Sequence, residues 1–124
     1  MGKIVRVLVV DDDPGIRATM GDILTLEGFD VTAAPDGSAA MALCRQETFD
    51  VALLDIGMPG MNGVETLEGL KATDPSLRVV MITGLEAGDL AQRAMEAGAE
   101  AVFYKPLDVA TFLPTLMVEV PPSR

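Results

Sequence analysis

A chain of 124 residues is the size of one ordinary domain, and 49% hydrophobic with 23% charged residues keeps it clear of the low-hydrophobicity signature of disorder. Against 9 basic residues stand 19 acidic ones, and the formal charge of −10 has the wrong sign for neutralising nucleic-acid phosphates or coating anionic lipid. The single cysteine, Cys44, excludes an internal disulfide, and no apolar run approaches the roughly 18 residues of a membrane span, so a cytoplasmic, unanchored chain without direct nucleic-acid binding is expected. The amino-terminal residues carry no signal-peptide pattern, and Arg6 stands where a myristoylation motif requires Ser or Thr.

Short β-branched runs alternate with longer stretches of helical period. Residues 4–10 (IVRVLVV) read as a buried strand, and 14–27 as a helix with Pro14 at its first position, Asp13 as its cap and Gly28 closing it. A strand over 30–34 (DVTAA) leads through Pro35-Asp36-Gly37 into a helix over about 38–46. Strand 50–54 (DVALL) precedes the loop 55–62 and a helix over about 63–73. Strand 78–82 (RVVMI) precedes a helix over about 86–97, and strand 101–104 (AVFY) a last helix starting near Asp108. Five βα units with near-continuous apolar strands predict a doubly wound α/β sandwich, a parallel sheet covered by helices on both faces. Cys44, in an apolar helix, reads as a small buried hydrophobe.

In such a sheet the ligand site lies beyond the carboxyl ends of the strands. The first strand runs into Asp11-Asp12-Asp13, the third into Asp55, the fourth into Thr83-Gly84 and the fifth into Lys105-Pro106. Carboxylates at about 4 Å repel by roughly 4 kcal/mol per pair at an effective dielectric of 20, so the cluster wants a hard divalent cation with oxygen ligands, and Mg²⁺ fits. Asp11, Asp12, Asp55, Lys105 and one Mg²⁺ sum to zero charge, which leaves the metal and the lysine able to offset an arriving phosphoryl group. Each residue alone has a simpler explanation: a solvated turn for the aspartates, a cap for Thr83, a surface lysine for Lys105. Those explanations account poorly for all of them standing at the ends of the correct strands.

VLVVDDDP at 7–14, LLDIGMPGMNG at 53–63, VMITG at 80–84 and FYKP at 103–106 resemble the receiver domain of two-component response regulators, in order and spacing, over nearly the whole chain. The resemblance implies a flavodoxin-like (βα)₅ fold with strand order 2-1-3-4-5, residues 1–119 as the receiver unit and 120–124 as a tail or the start of a linker. It implies a signalling domain that assists its own phosphorylation and dephosphorylation and is otherwise not an enzyme. Asp55 would be the phosphoacceptor; Asp12 and Asp55 would bind Mg²⁺ directly, Asp11 through a water, and the Gly57 backbone carbonyl would complete the protein ligands. Thr83 would hydrogen-bond the phosphoryl group and Lys105 would pair with its oxygens, from a Lys105–Pro106 peptide that is cis. The implied partners are a sensor histidine kinase or histidine phosphotransfer protein, a downstream effector protein or domain, and, as a further candidate, a second copy of the chain.

Some positions depart from the family pattern. Val102 stands where Tyr or Phe is usual, Gly57 and Leu85 where polar groups are common, and Pro114 falls several residues into the last helix, where a kink or early end is expected. Among rivals, a haloacid-dehalogenase-type phosphohydrolase would use the Asp11/Asp13 pair, but the chain is short for that fold and has no later acidic pair. A receiver-like module that signals by docking alone would not need all the site residues, and a flavin binder would want a Gly- and Ser/Thr-rich first loop.

Overall fold

The computed structural model describes residues 4–55, 63–84, 89–105 and 113–116. Strands β1 (Arg6–Val10), β2 (Asp30–Ala34), β3 (Val51–Asp55), β4 (Arg78–Thr83) and β5 (Ala101–Tyr104) alternate with helices α1 (Pro14–Leu26), α2 (Gly37–Gln46), α3 (Gly63–Thr73) and α4 (Asp89–Glu96). All strands pair in parallel, in the order β2-β1-β3-β4-β5. The doubly wound topology read from the sequence is therefore the observed one. The central strands β3 and β4 are buried along their whole length, as strands covered on both faces must be.

Period-two alternation divides the core into two layers. Leu8, Val10, Ala52, Leu54, Val79 and Met81 pack with Ala40, Leu67, Leu70 and Ala94 of α2, α3 and α4. Val7, Val9, Val51, Leu53, Val80 and Ile82 pack on the other side with Met20 and Leu24 of α1 and with Leu116 of the helical turn 113–116. Val102 joins the first layer and Phe103 the second.

The helix ends follow their local chemistry. Asp13 caps α1, accepting from the backbone N–H of Gly15 at 2.8 Å and Ile16 at 3.2 Å, with Pro14 at the first helical position. At its other end Gly28 takes φ 98°, and the N–H of Phe29 donates to Leu24 O while that of Gly28 donates to Thr25 O, which satisfies the last carbonyls. The end of α4 repeats the arrangement with Gly98 at φ 111° and Ala99 N–H donating to Ala94 O. At the amino edge of the sheet Arg78 pairs bidentately with Glu100 (2.7 and 2.6 Å) and also donates to the carbonyl of Thr115 in the last helical turn. Arg6 pairs there with Glu47 (2.5 Å) and lies 5.0 Å from the Phe49 ring centre.

The boundaries moved by small amounts. The first strand begins at Arg6, leaving Ile4 at 65% exposure, because the pairing with β2 starts at Arg6 and Asp30. Pairing with Ile82 carries β3 through Asp55, and pairing with Tyr104 carries β4 through Thr83. The loop 56–62, the peptide to Pro106 and the expected start of the last helix, with any kink it carries, lie outside the described residues; Pro114 is exposed within the helical turn 113–116.

α2 and α3 approach closely at Gly69, where an added Cβ would stand 2.6 Å from Sδ of Met41. Gly69→Val should therefore lower the free energy of unfolding by about 1–3 kcal/mol, the usual range for overpacking. Adding Met41→Ala should recover part of that loss in a denaturant-measured double-mutant cycle; strict additivity would show that the sulfur is not the obstacle.

Candidate functional site

Alternation along the strands decides which side chains can meet. Asp11 continues the Val7–Val9 row, Asp55 the Val51–Leu53 row and Lys105 the row of Phe103, so all three reach the carboxyl rim on the α1 side of the sheet. Lys105 is fixed beside β4 by its backbone N–H, which donates to the carbonyl of Thr83 at 2.7 Å. From there its side chain crosses β4, and Nζ donates to Oδ2 of Asp55 at 2.9 Å. Carboxylate oxygens of Asp11, Asp12 and Asp55 lie within 4.8 Å of one another, with Asp11 and Asp55 buried and Asp12 exposed.

The loop that carries the first two of these is held by its backbone. Asp11 N–H donates to Ala34 O of β2 at 3.2 Å, and Asp13 N–H donates back to Oδ1 of Asp11 at 2.9 Å. The guanidinium of Arg17 donates to the carbonyl of Asp11 at 2.8 Å. Nothing in the sequence pattern singled Arg17 out. The only signal was its place one turn into α1, from which helical side chains tilt back toward the amino end.

The electrostatics follow from burial and proximity. Burial pushes the Asp11 carboxyl up; the hydrogen bond from Asp13 opposes this, and the charge of Asp55 adds to it. Burial works against the Lys105 ammonium too, yet the hydrogen bond to Asp55 and the charges of Asp55, Asp11 and Asp12 outweigh it and raise its pKa. That contribution to stability is present below about 10.4 and is lost as pH rises through the folded pKa. The donor set is all oxygen and anionic, which suits a hard divalent cation such as Mg²⁺. Gly57, expected to add a carbonyl ligand, lies outside the described residues.

Thr83 is buried at the end of β4, in the row of Val79 and Met81 on the opposite face, and its hydroxyl donates to the Gly84 carbonyl at 3.2 Å. The described contacts thus gather the side chains of Asp11, Asp12, Asp55 and Lys105, with Thr83 on an adjacent strand end, bonded to Lys105 through its backbone carbonyl while its hydroxyl turns to Gly84. Asp13 serves as the helix cap. Cys44 is half-buried, and burial, then the charge of Asp74, pushes its thiol up, in keeping with an inert packing role. No helix among the described residues is long and apolar enough to cross a membrane.

An acidic, oxygen-rich cluster with one ammonium group thus stands at the carboxyl rim of a 2-1-3-4-5 sheet, the rim at which α/β domains of this class place their ligand sites. The chain matches the family model of the response regulator receiver domain over residues 7–116, and it belongs to that family. It is 36% identical over 104 residues to the sporulation initiation phosphotransferase F of Bacillus subtilis, covering 84% of each chain. A CheY-like receiver domain protein from Methanospirillum hungatei superposes with a TM-score of 0.86 at 32% identity, covering 92% of this chain and 91% of that one. The CheY of a CheX–CheY–BeF3–Mg²⁺ complex from Borrelia burgdorferi gives 0.83 at 34% identity, covering 91% and 87%. Other curated relatives are longer, and the chain spans between 24% and 46% of several of them. The protein is thus a receiver domain of two-component signalling, a family that takes phosphoryl groups on aspartate and works with histidine kinases and effector domains. It is a signalling domain and not a conventional enzyme.

The shift at Asp11 fixes a sign. The folded protein holds that proton more tightly than the unfolded chain, so this group lowers stability as pH rises from about 3.9 through the folded pKa. In EDTA, Asp11→Asn should be more stable than wild type at pH 7, and the advantage should vanish as the pH falls toward 4, read from urea midpoints. An Asn variant no more stable than wild type at pH 7 would contradict this account of the site.

Proposed function

We propose that Asp55 is the phosphoacceptor of this receiver domain. The observation that carries this reading is the Asp55 carboxylate at the end of β3, bonded to Lys105 at 2.9 Å and within 4.8 Å of the Asp11 and Asp12 oxygens. In the transfer, an oxygen of Asp55 bonds to phosphorus while the P–N bond of a phosphohistidine breaks, and the imidazole nitrogen leaves with the electron pair. These 124 residues contain no His, so the donor residue lies outside them, in a sensor kinase or a phosphotransfer protein.

Asp12 and Asp55 would hold Mg²⁺ directly, Asp11 through a water, and the Gly57 carbonyl would complete the set; when bound, the ion supplies positive charge that offsets the phosphoryl oxygens. Lys105 gives up part of its bond to Asp55 and pairs with a phosphoryl oxygen, while the Thr83 hydroxyl turns from the Gly84 carbonyl to donate to another. The domain thereby assists its own phosphorylation and its later hydrolysis. The same reading assigns residues 1–119 to the receiver unit, 120–124 to a tail or linker, the chain to the cytoplasm, and its output to an effector protein or domain, with self-association as a further mode. Direct nucleic-acid binding is not part of it, given the charge of −10.

Incubated with acetyl phosphate, the wild type should gain one phosphoryl mass by intact mass spectrometry only when Mg²⁺ is present, and Asp55→Ala none. Labelling that survives in Asp55→Ala sinks the assignment. The switch should not depend on residue 102: Val102 is half-buried in the α2–α4 layer and has no ring to follow Thr83 inward, while Tyr104 on the same row is 47% exposed. NMR shifts of α4 on adding beryllofluoride should persist in Val102→Ala and disappear in Thr83→Ala. Loss of the response in Val102→Ala, with the mimic still bound, would overturn this.

A further inference from the structure

The start of α1 stands over a cavity of about 240 Å³, bordered by Ile16 and Met20 from the helix and by Leu53 and Ile82 from the sheet. Asp11, Asp55 and Lys105 line it as well, so it is the open cleft of the candidate site. Ile16, in the first turn of α1, stands at its edge and remains 39% exposed, whereas Met20 and Leu24 further along the helix are buried against the sheet. Polar ties add to this packing at the acidic loop, where the Asp11 N–H donates to the Ala34 carbonyl of β2 at 3.2 Å. The Asp13 cap joins the loop only to the helix that follows it. The one described bond from a side chain of α1 back to the end of β1 is that of Arg17, whose guanidinium donates to the Asp11 carbonyl at 2.8 Å.

We infer that Arg17 is a positioning residue for the cation site: by holding the Asp11 carbonyl it fixes the backbone from which the Asp11 and Asp12 carboxylates project. The inference rests on the proposed reading of Asp11, Asp12 and Asp55 as the metal ligands. It has a sign that a mere surface charge would not produce. A guanidinium near the site repels a metal ion, so removing its charge alone tightens cation binding. Removing the clamp frees the loop, and ordering it again on each binding event weakens cation binding.

The experiment compares wild type, Arg17→Met, which keeps the length of the side chain without the donors, and Arg17→Lys, which keeps one charged donor. Mg²⁺ affinity is measured by calorimetry, and amide hydrogen exchange is measured on the metal-free proteins. Arg17→Met should bind Mg²⁺ about tenfold more weakly, the order expected for losing one charge-assisted hydrogen bond. Exchange at the Asp11 and Asp13 amides should quicken by a similar factor, with the Leu24 amide unchanged and Arg17→Lys recovering part of both effects. Mg²⁺ binding by Arg17→Met as tight as wild type, or tighter, overturns the inference, as does quickened exchange that extends equally to Leu24. A wild type that binds no Mg²⁺ defeats the reading of the site itself and is distinguishable from either result.

Discussion

Three carboxylates held within 4.8 Å of one another, two of them buried, oppose the fold that gathers them. At such separations the repulsion is worth roughly 4 kcal/mol per pair at an effective dielectric of 20, a large share of the stability of any domain this size. The structure contains it with one ammonium group, delivered across a strand from the end of β5, and with backbone bonds that leave the acidic loop little freedom. The parallel sheet makes this arrangement possible. It brings every strand to the same rim, so residues far apart in sequence, 50 positions in the case of Asp55 and Lys105, become neighbours.

Much of this was legible in the chain itself because it is written in local rules. Pro14 after Asp13 and Gly28 after an apolar helix mark ends through backbone geometry, which needs no knowledge of the rest of the fold. The apolar runs of β3 and β4 announce burial on both faces. Asp55 was expected just beyond its strand and turned out to be its last residue, because the extent of a strand depends on its partner: Ile82 is there to pair with it. The bonds that depend on tertiary distance were not legible. Arg78 and Glu100 are 22 residues apart, and no period or motif relates them. The contact of Met41 with Gly69 and the bond from Arg17 to Asp11 are of the same kind, set by how helices settle on one another and on the sheet.

The two faces of the sheet divide the labour of the rim. Asp11, Asp55 and Lys105 belong to the face covered by α1, whereas Thr83 continues the row of Val79 and Met81 on the face covered by α2, α3 and α4. A group bound among the carboxylates can thus engage both layers only through the strand ends. In the proposed function, Thr83 would be the residue through which an event on the α1 side reaches the neighbourhood of α4. The valine at position 102 leaves that neighbourhood without a buried aromatic ring on β5, and the only aromatic on its row, Tyr104, is half in solvent.

The left-handed glycines at 28 and 98 have a consequence for how such a chain can be lengthened. Each turns the backbone so abruptly that the next strand starts almost at once: residues 27–29 separate α1 from β2, and 97–100 separate α4 from β5. Phe29 and Ala99 are buried within these connections and their N–H groups are bonded into the helix just ended, so there is no slack to absorb an inserted residue. The amino edge of the sheet is closed to insertions at both places. Added length, a grafted loop or a new terminus made by circular permutation would have to be accommodated elsewhere, and the segments that follow the strands at the carboxyl rim are the ones whose change alters chemistry without disturbing the turns that hold the layers in place.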